Sequence, residues 1–403
     1  MKNFTLDKSI FFALSLFAFS VISSVTAVET ALLLALTLLL AKKYQEKTLS
    51  DIGTKLTGHP LFVPWLVYLG ICLLTTLTAY YPAKGFGQLN SDFLKYVCLS
   101  TLLLTVKKEH LPKLSAIYTL AALISAFIGI YLAARAMAAG IVDLSRATAF
   151  MNPVRYGEVM AIALTLILSR IVIPVKETFR HEQLFYKLAV FPVFIALVLS
   201  QTRGAYLGVV VAMAFMFYFA SFSRKKVALY IVILGITAGL ATLVNPTIRQ
   251  RVTTIVDRNP TEMTANTPST AINIRLELWK LGITMFKAHP VLGVGPDNVK
   301  KVFKQFHPGP VGYQEVWGSL HSLYIHQAAE RGILGLGALL LLFGAMLWAA
   351  FKNFEARGNP YTLWALCALP AYYMMNLTEI SFQHVHTSFA VFLALAVSYN
   401  SAE

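Results

Sequence analysis

His321, Arg203 and Arg275 are the residues best suited to group-transfer chemistry, and they lie far apart in the chain. His321 stands at the foot of an apolar run. An imidazole titrates near neutrality, so it can take a proton from a hydroxyl at working pH; alternatively it only caps or anchors the following helix. Arg203, in Gln201-Thr202-Arg203-Gly204, sits where two apolar runs meet. A guanidinium there needs a cavity or a partner, and its fixed fork matches phosphate oxygens. Snorkelling to lipid headgroups is the competing reading. Arg275 borders the apolar stripe of a helix. Arg155, in Asn152-Pro153-Val154-Arg155, is a weaker candidate at a span end, and Arg146 is weaker still. Together, arginines that hold a diphosphate and a histidine that deprotonates an attacking hydroxyl suit the handling of a lipid-linked phosphate.

Membrane spans must position these residues. The 403 residues are 57% apolar and only 13% charged, against about a quarter charged in soluble domains. Runs near the ~20 residues needed to cross a bilayer recur along the chain. Twelve are expected, at 9–26, 28–41, 60–79, 93–106, 114–134, 153–175, 187–202, 204–222, 227–244, 332–351, 360–376 and 385–399. None alternates with period two, so helices are the workable form. The first run follows Lys2 and Lys8 and precedes Val25-Thr26-Ala27, which imitates a signal peptide. Another apolar run follows at once, so the first is read as a retained span.

The net charge of +15 does not imply nucleic acid, because the basic residues lie between spans and report orientation. One side carries Lys42, Lys43, Lys47, Lys55, Lys107, Lys108, Lys113 and Arg224 among others; the short loops of the other carry Lys84, Arg135, Arg146, Arg155 and Arg203. Both termini are therefore expected in the cytoplasm. The chain divides into a bundle at 1–244, an external loop at 245–331 and a last membrane segment at 332–403.

Within the loop, 253–270 reads as an irregular strap and Pro268-Ser269 as a helix start. Ile272, Leu276, Trp279, Ile283 and Phe286 are spaced as one helix face, ended by His289-Pro290. Val291-Leu292-Gly293-Val294-Gly295 lacks the Gly-Lys-Ser/Thr ending of a P-loop; it is either a structural turn or a phosphate cradle. His384-Val385-His386, with Glu379 nearby, raises metal binding, but the spacing fits no zinc signature. Cys72, Cys98 and Cys367 all lie in apolar runs and read as buried thiols.

Gln201-Thr202-Arg203-Gly204, Arg275 with Trp279, Pro290 to Gly295, and His321 followed by Glu330-Arg331-Gly332-Ile333-Leu334-Gly335 form an ordered set. That set resembles the O-antigen ligase and polymerase superfamily, and the likeness in order and span number covers most of the chain. The resemblance implies an all-α, GT-C-type glycosyltransferase of the bacterial inner membrane, with its active site at the periplasmic face. It implies an undecaprenyl-diphosphate-linked glycan donor, a lipid A-core acceptor, and inversion without metal or cofactor. In that scheme His321 is the base, and Arg203 and Arg275 hold the diphosphate. A polymerase, or a protein O-oligosaccharyltransferase using the same type of donor, is the alternative. Ser322 departs from the asparagine that often follows the histidine in the family. A transporter is the reading from another class, disfavoured because the spans are mostly clean of charge.

Overall fold

The computed structural model describes residues 2–140, 146–176, 178–220, 223–244 and 268–402. Most of the strap expected at 253–270 therefore lies outside the described residues. Fifteen α-helices are numbered here in order. They are α1 Lys2–Ser20, α2 Val25–Gln45, α3 Ser50–Thr57, α4 Phe62–Leu77, α5 Pro82–Thr105, α6 Leu111–Ala138, α7 Pro153–Val172 and α8 Glu182–Leu199, then α9 Arg203–Phe219, α10 Arg224–Val244, α11 Pro268–Ala288, α12 Val299–Phe306, α13 Leu323–Ala356, α14 Pro360–Met375 and α15 Val385–Ala402. No strand occurs among the described residues; Val311 and Gln314 form an isolated bridge.

Each of the twelve expected runs falls on a helix. Among the described residues five helices are long and apolar enough to cross a membrane, and a sixth span results if α3 and α4, bent by 90° at their break, count as one. The chain is thus all-helical in the manner of a polytopic membrane protein. The first run packs as part of the bundle: α1 lies against α2 and α6, and the Val21 carbonyl accepts from His386 Nδ1 at 2.7 Å.

Three helices make the centre. Along α7 every residue from Tyr156 to Val172 is buried, and α14 and α15 are buried on nearly all sides. A helix apolar all round belongs in an interior, and these sequences leave no polar face. Local signals fix where two of them start. Asn152 accepts from the Arg155 N–H ahead of Pro153, and Asn359 accepts from the Tyr361 and Thr362 N–H groups ahead of Pro360. An Asn N-cap followed by proline at the first helical position satisfies an end that has spare donors.

Two helices extend beyond the apolar runs that suggested them. α5 begins at Pro82 rather than near 93, and α13 begins at Leu323 rather than 332. Their polar ends meet in the interior. Buried Arg331 donates to Asp92 Oδ2 at 2.6 Å, Gln327 Oε1 at 2.7 Å and Tyr68 OH at 3.2 Å, while Lys95 Nζ donates to Asp92 Oδ1 at 3.0 Å. Buried charges persist when paired and hydrogen-bonded, so polar sequence continues the helix inside the protein.

The loop carries its own small core. Ile274, Leu278, Leu281 and Met285 of α11 pack with Val299, Val302 and Phe303 of α12, and with Val311, Trp317, Leu320 and Ala329. The stripe read from the sequence is the other face: Ile272, Leu276 and Ile283 are exposed, as a face lying along a membrane surface would be. α11 has apolar residues on two faces, and spacing alone did not show which one the loop covers.

Candidate active site

The glycine-rich turn after α11 is structural. Val294 N–H donates to the Ala329 carbonyl at 3.0 Å and Gly295 N–H to that of Glu330 at 2.8 Å, while Ile333 N–H donates to Pro290 O at 2.8 Å. These amides are therefore occupied and do not cradle a phosphate. Gly293 and Gly332 interlock: both have positive φ, a Cβ on Gly293 would meet the Glu330 carbonyl carbon at 2.2 Å, and one on Gly332 would meet Val291 O at 2.2 Å. Gly332 breaks α13, and the turn fills the break. On its other side the turn is tied to the connection between α4 and α5, where Tyr81 N–H donates to Asn298 Oδ1 at 2.8 Å. This anchorage sets α11 and the segment leading to His321 over one end of the bundle.

At that end the N-termini of α7, α9, α13 and α15 gather. Thr202, just before α9, donates to the Pro153 carbonyl at 3.0 Å. Ser381 donates to Glu158 Oε1 of α7 at 2.6 Å. Leu323 N–H, at the start of α13, donates to the carbonyls of Asn376 at 2.9 Å and Glu379 at 3.0 Å. Helix N-termini carry positive potential, which favours an anionic ligand.

Glu379 is the hub. Its Oε1 accepts from Arg275 at 2.5 Å and its Oε2 faces His321 Nδ1 at 3.1 Å. The carboxylate side chain is 10% exposed, whereas those of Arg275 and His321 are 27% and 26% exposed. Burial works against the charge on Glu379, but the His321 hydrogen bond, the charge that ring carries whenever it is protonated, and the Arg275 guanidinium outweigh it and hold its carboxyl below the ordinary carboxylate value. An ionised carboxylate has no hydrogen to give, so Nδ1 carries it and the neutral ring keeps its lone pair on Nε2. That is the tautomer a general base requires.

The backbone holds His321 in a conformation few side chains adopt, with φ of 49°. Its N–H donates to Ser319 Oγ at 3.1 Å, Trp279 Nε1 donates to its carbonyl at 3.3 Å, and its ring meets Trp317 edge-on at 5.6 Å. Ser322 is buried and takes the N-cap position of α13 without a side-chain cap. Orientation of the histidine falls to Glu379.

The arginines take different places. Arg275 and His321 meet on one carboxylate. Arg203 opens α9, and its neighbour Gly204 lies so close to Thr378 that a Cβ would stand 2.5 Å from Thr378 Oγ1; this puts the start of α9 against the loop that carries Glu379. Arg155 opens α7 and is half-buried, and its Nε makes no hydrogen bond among the described residues. Burial and then the Arg155 charge push His384 down to about 3, so His384 is neutral at neutral pH. Arg146 braces the turn before α9 by donating from Nε to the Ser200 carbonyl at 2.9 Å.

No three His, Cys, Asp or Glu side chains among the described residues stand close enough to share an ion. His386, in the His-x-His pair, is turned to the Val21 carbonyl. Sequence reasoning named Glu379 only as a metal possibility beside His384 and His386 and missed its link to Arg275 and His321. Its only local signal is a lone carboxylate in the short connection between the last two apolar runs.

Residues 188–340 match the family model described as O-antigen ligase. This segment is similar to the O-antigen ligase family. It runs from α8 into α13 and includes Arg203, Arg275 and His321, whereas Arg155 and Glu379 lie outside it. An uncharacterized protein of Haemophilus influenzae is 26% identical over 165 residues, a match covering 38% of this chain and 40% of that protein. The chain thus spans less than half the length of this relative. The matched segment contributes two of the three groups in the Arg275–Glu379–His321 cluster, and the C-terminal connection contributes the third.

Proposed function

We propose that the protein is an O-antigen ligase that moves a glycan from undecaprenyl diphosphate to lipid A-core at the periplasmic face, without a metal. The observation that carries this reading is the His321–Glu379 pair beside Arg275. The acceptor hydroxyl gives its proton to His321 Nε2 as its oxygen attacks the anomeric carbon. The bond from that carbon to the diphosphate breaks on the opposite face, and undecaprenyl diphosphate leaves with inverted configuration at the sugar. Glu379 holds the imidazole and stabilises the imidazolium that forms. Arg275 and Arg203, among helix N-termini, bind the diphosphate and its growing charge, with Arg155 as a further candidate. Donor binding draws Arg275 from Glu379 and leaves that carboxylate to His321 alone.

In this reading the twelve helical runs are spans, both termini face the cytoplasm, and residues 245–331 form the periplasmic loop. Purified protein in detergent, given lipid-linked glycan and lipid A-core, should produce glycan-capped core in the presence of EDTA. Loss of transfer with EDTA would reject the metal-free scheme. A deletion strain tests the acceptor: loss of all attached glycan fits a ligase, whereas single repeat units on the core would make the protein a polymerase.

A further inference from the structure

The end of the bundle opposite His321 contains a cavity of about 570 Å³. α15 connects the two ends: it starts beside His384 and reaches the cavity at Tyr399 and Asn400, a length of about 24 Å at 1.5 Å per residue. We propose that this cavity binds the phosphate headgroup of an anionic phospholipid.

The lining has the required chemistry. Lys55, Lys107, Lys108 and His59 contribute to it, and no Asp or Glu does. Lys107 is held by Asp7 at 2.9 Å. Lys55 and Lys108 are exposed and have no ion-pair partner among the described residues. His59 is buried; its Nδ1 accepts from Leu61 N–H at 3.2 Å, so the neutral ring carries its hydrogen on Nε2 as a donor. The walls are set by side chains rather than by chance. The His59 ring packs on Tyr399 at 4.6 Å, and Asn400 Nδ2 donates to the carbonyls of Ala396 at 2.9 Å and Leu103 at 3.4 Å.

Position selects the source of the phosphate. α3, which supplies Lys55, turns through 90° into α4. If α4 crosses the bilayer, α3 lies along its surface, where a short amphipathic helix sits among headgroups. The cavity then opens at headgroup depth on the lysine-rich side, and basic pockets between helices there suit anionic lipid. Free phosphate would offer the same oxygens without the acyl chains.

The test is thermal unfolding of the purified full chain in neutral detergent. Short-chain phosphatidylglycerol, matched phosphatidylcholine and inorganic phosphate are titrated separately. The expected result is a rise in Tm with phosphatidylglycerol alone. The rise should fall by at least half in Lys55→Gln/Lys108→Gln and persist in Lys55→Arg/Lys108→Arg. It should also persist in Lys225→Gln, which removes an exposed charge outside the cavity. An undiminished rise in the double Gln variant would overturn the proposal. So would no rise in the wild type, an equal rise with phosphatidylcholine, or full reproduction by inorganic phosphate.

Discussion

Two arginine–carboxylate pairs divide the work of this molecule. Arg331 and Asp92 are 0% exposed and have Lys95, Gln327 and Tyr68 around them. Arg275 and Glu379 are 27% and 10% exposed, and the carboxylate is shared with a histidine. The first pair has its polar neighbours inside the protein and no route to a ligand. The second keeps its cation at the surface, where an anion can compete for it. The same pair type therefore locks a helix contact in one place and, under the proposed function, serves a ligand site in another. Burial, not residue identity, separates the roles.

Breaking the closed pair should have the largest effect. Asp92→Asn leaves Arg331 buried without its counter-charge, which costs about 3–5 kcal/mol. The yield of folded protein in mild detergent and its Tm should both collapse. An unchanged Tm would remove the contrast between the pairs. Glu379→Gln should leave folded protein in the membrane but lower transfer by up to about 10⁴-fold, the effect of turning the carboxylate that orients a base histidine into an amide. A loss in kcat rather than KM alone distinguishes orientation of His321 from simple donor binding.

Acid separates two groups at the open site. The Glu379 carboxyl is held below its usual value, so its contribution to stability is complete above about pH 4.3 and is lost as pH falls through its lower folded value. The Tm gap between wild type and Glu379→Gln should be present at pH 7 and close in strong acid. His384, pushed down to about 3, stays neutral in the folded protein while the unfolded chain takes up a proton below about pH 6.5. Stability is lost as pH falls across that window. His384→Gln should flatten the decline in Tm between pH 7 and 4; an unchanged slope would remove His384 as its source. The smallest effect is expected at the exposed Lys304–Glu315 pair: Lys304→Gln should change stability by at most about 1 kcal/mol and leave transfer untouched.

The apolar runs were legible because each fills a helix long enough to be seen alone. The partners of their polar extensions were not: the run from His321 reads as a polar helical entry to the next span, but Asp92 finds its arginine 239 positions away, and no local pattern records that distance. At the site, His321 and Arg275 stand out by residue type against an apolar background. Glu379 did not, because it reaches them from 58 and 104 positions away. The stripe on α11 was incomplete for a related reason. Two faces of that helix are apolar, and Val299, Val302 and Phe303 of a later helix select the one containing Leu278 and Leu281. The glycine-rich turn had a readable local form, but its purpose depended on the break at Gly332 that it fills.

The central claim is that His321, set by Glu379, is the base of the transfer reaction. Its most direct test is the rate of glycan transfer to lipid A-core by purified His321→Ala, measured beside wild type at equal Tm. The expected rate is lower by about 10²–10⁴-fold, the usual contribution of a general base, with folding unchanged. Transfer within a few-fold of wild type would contradict it.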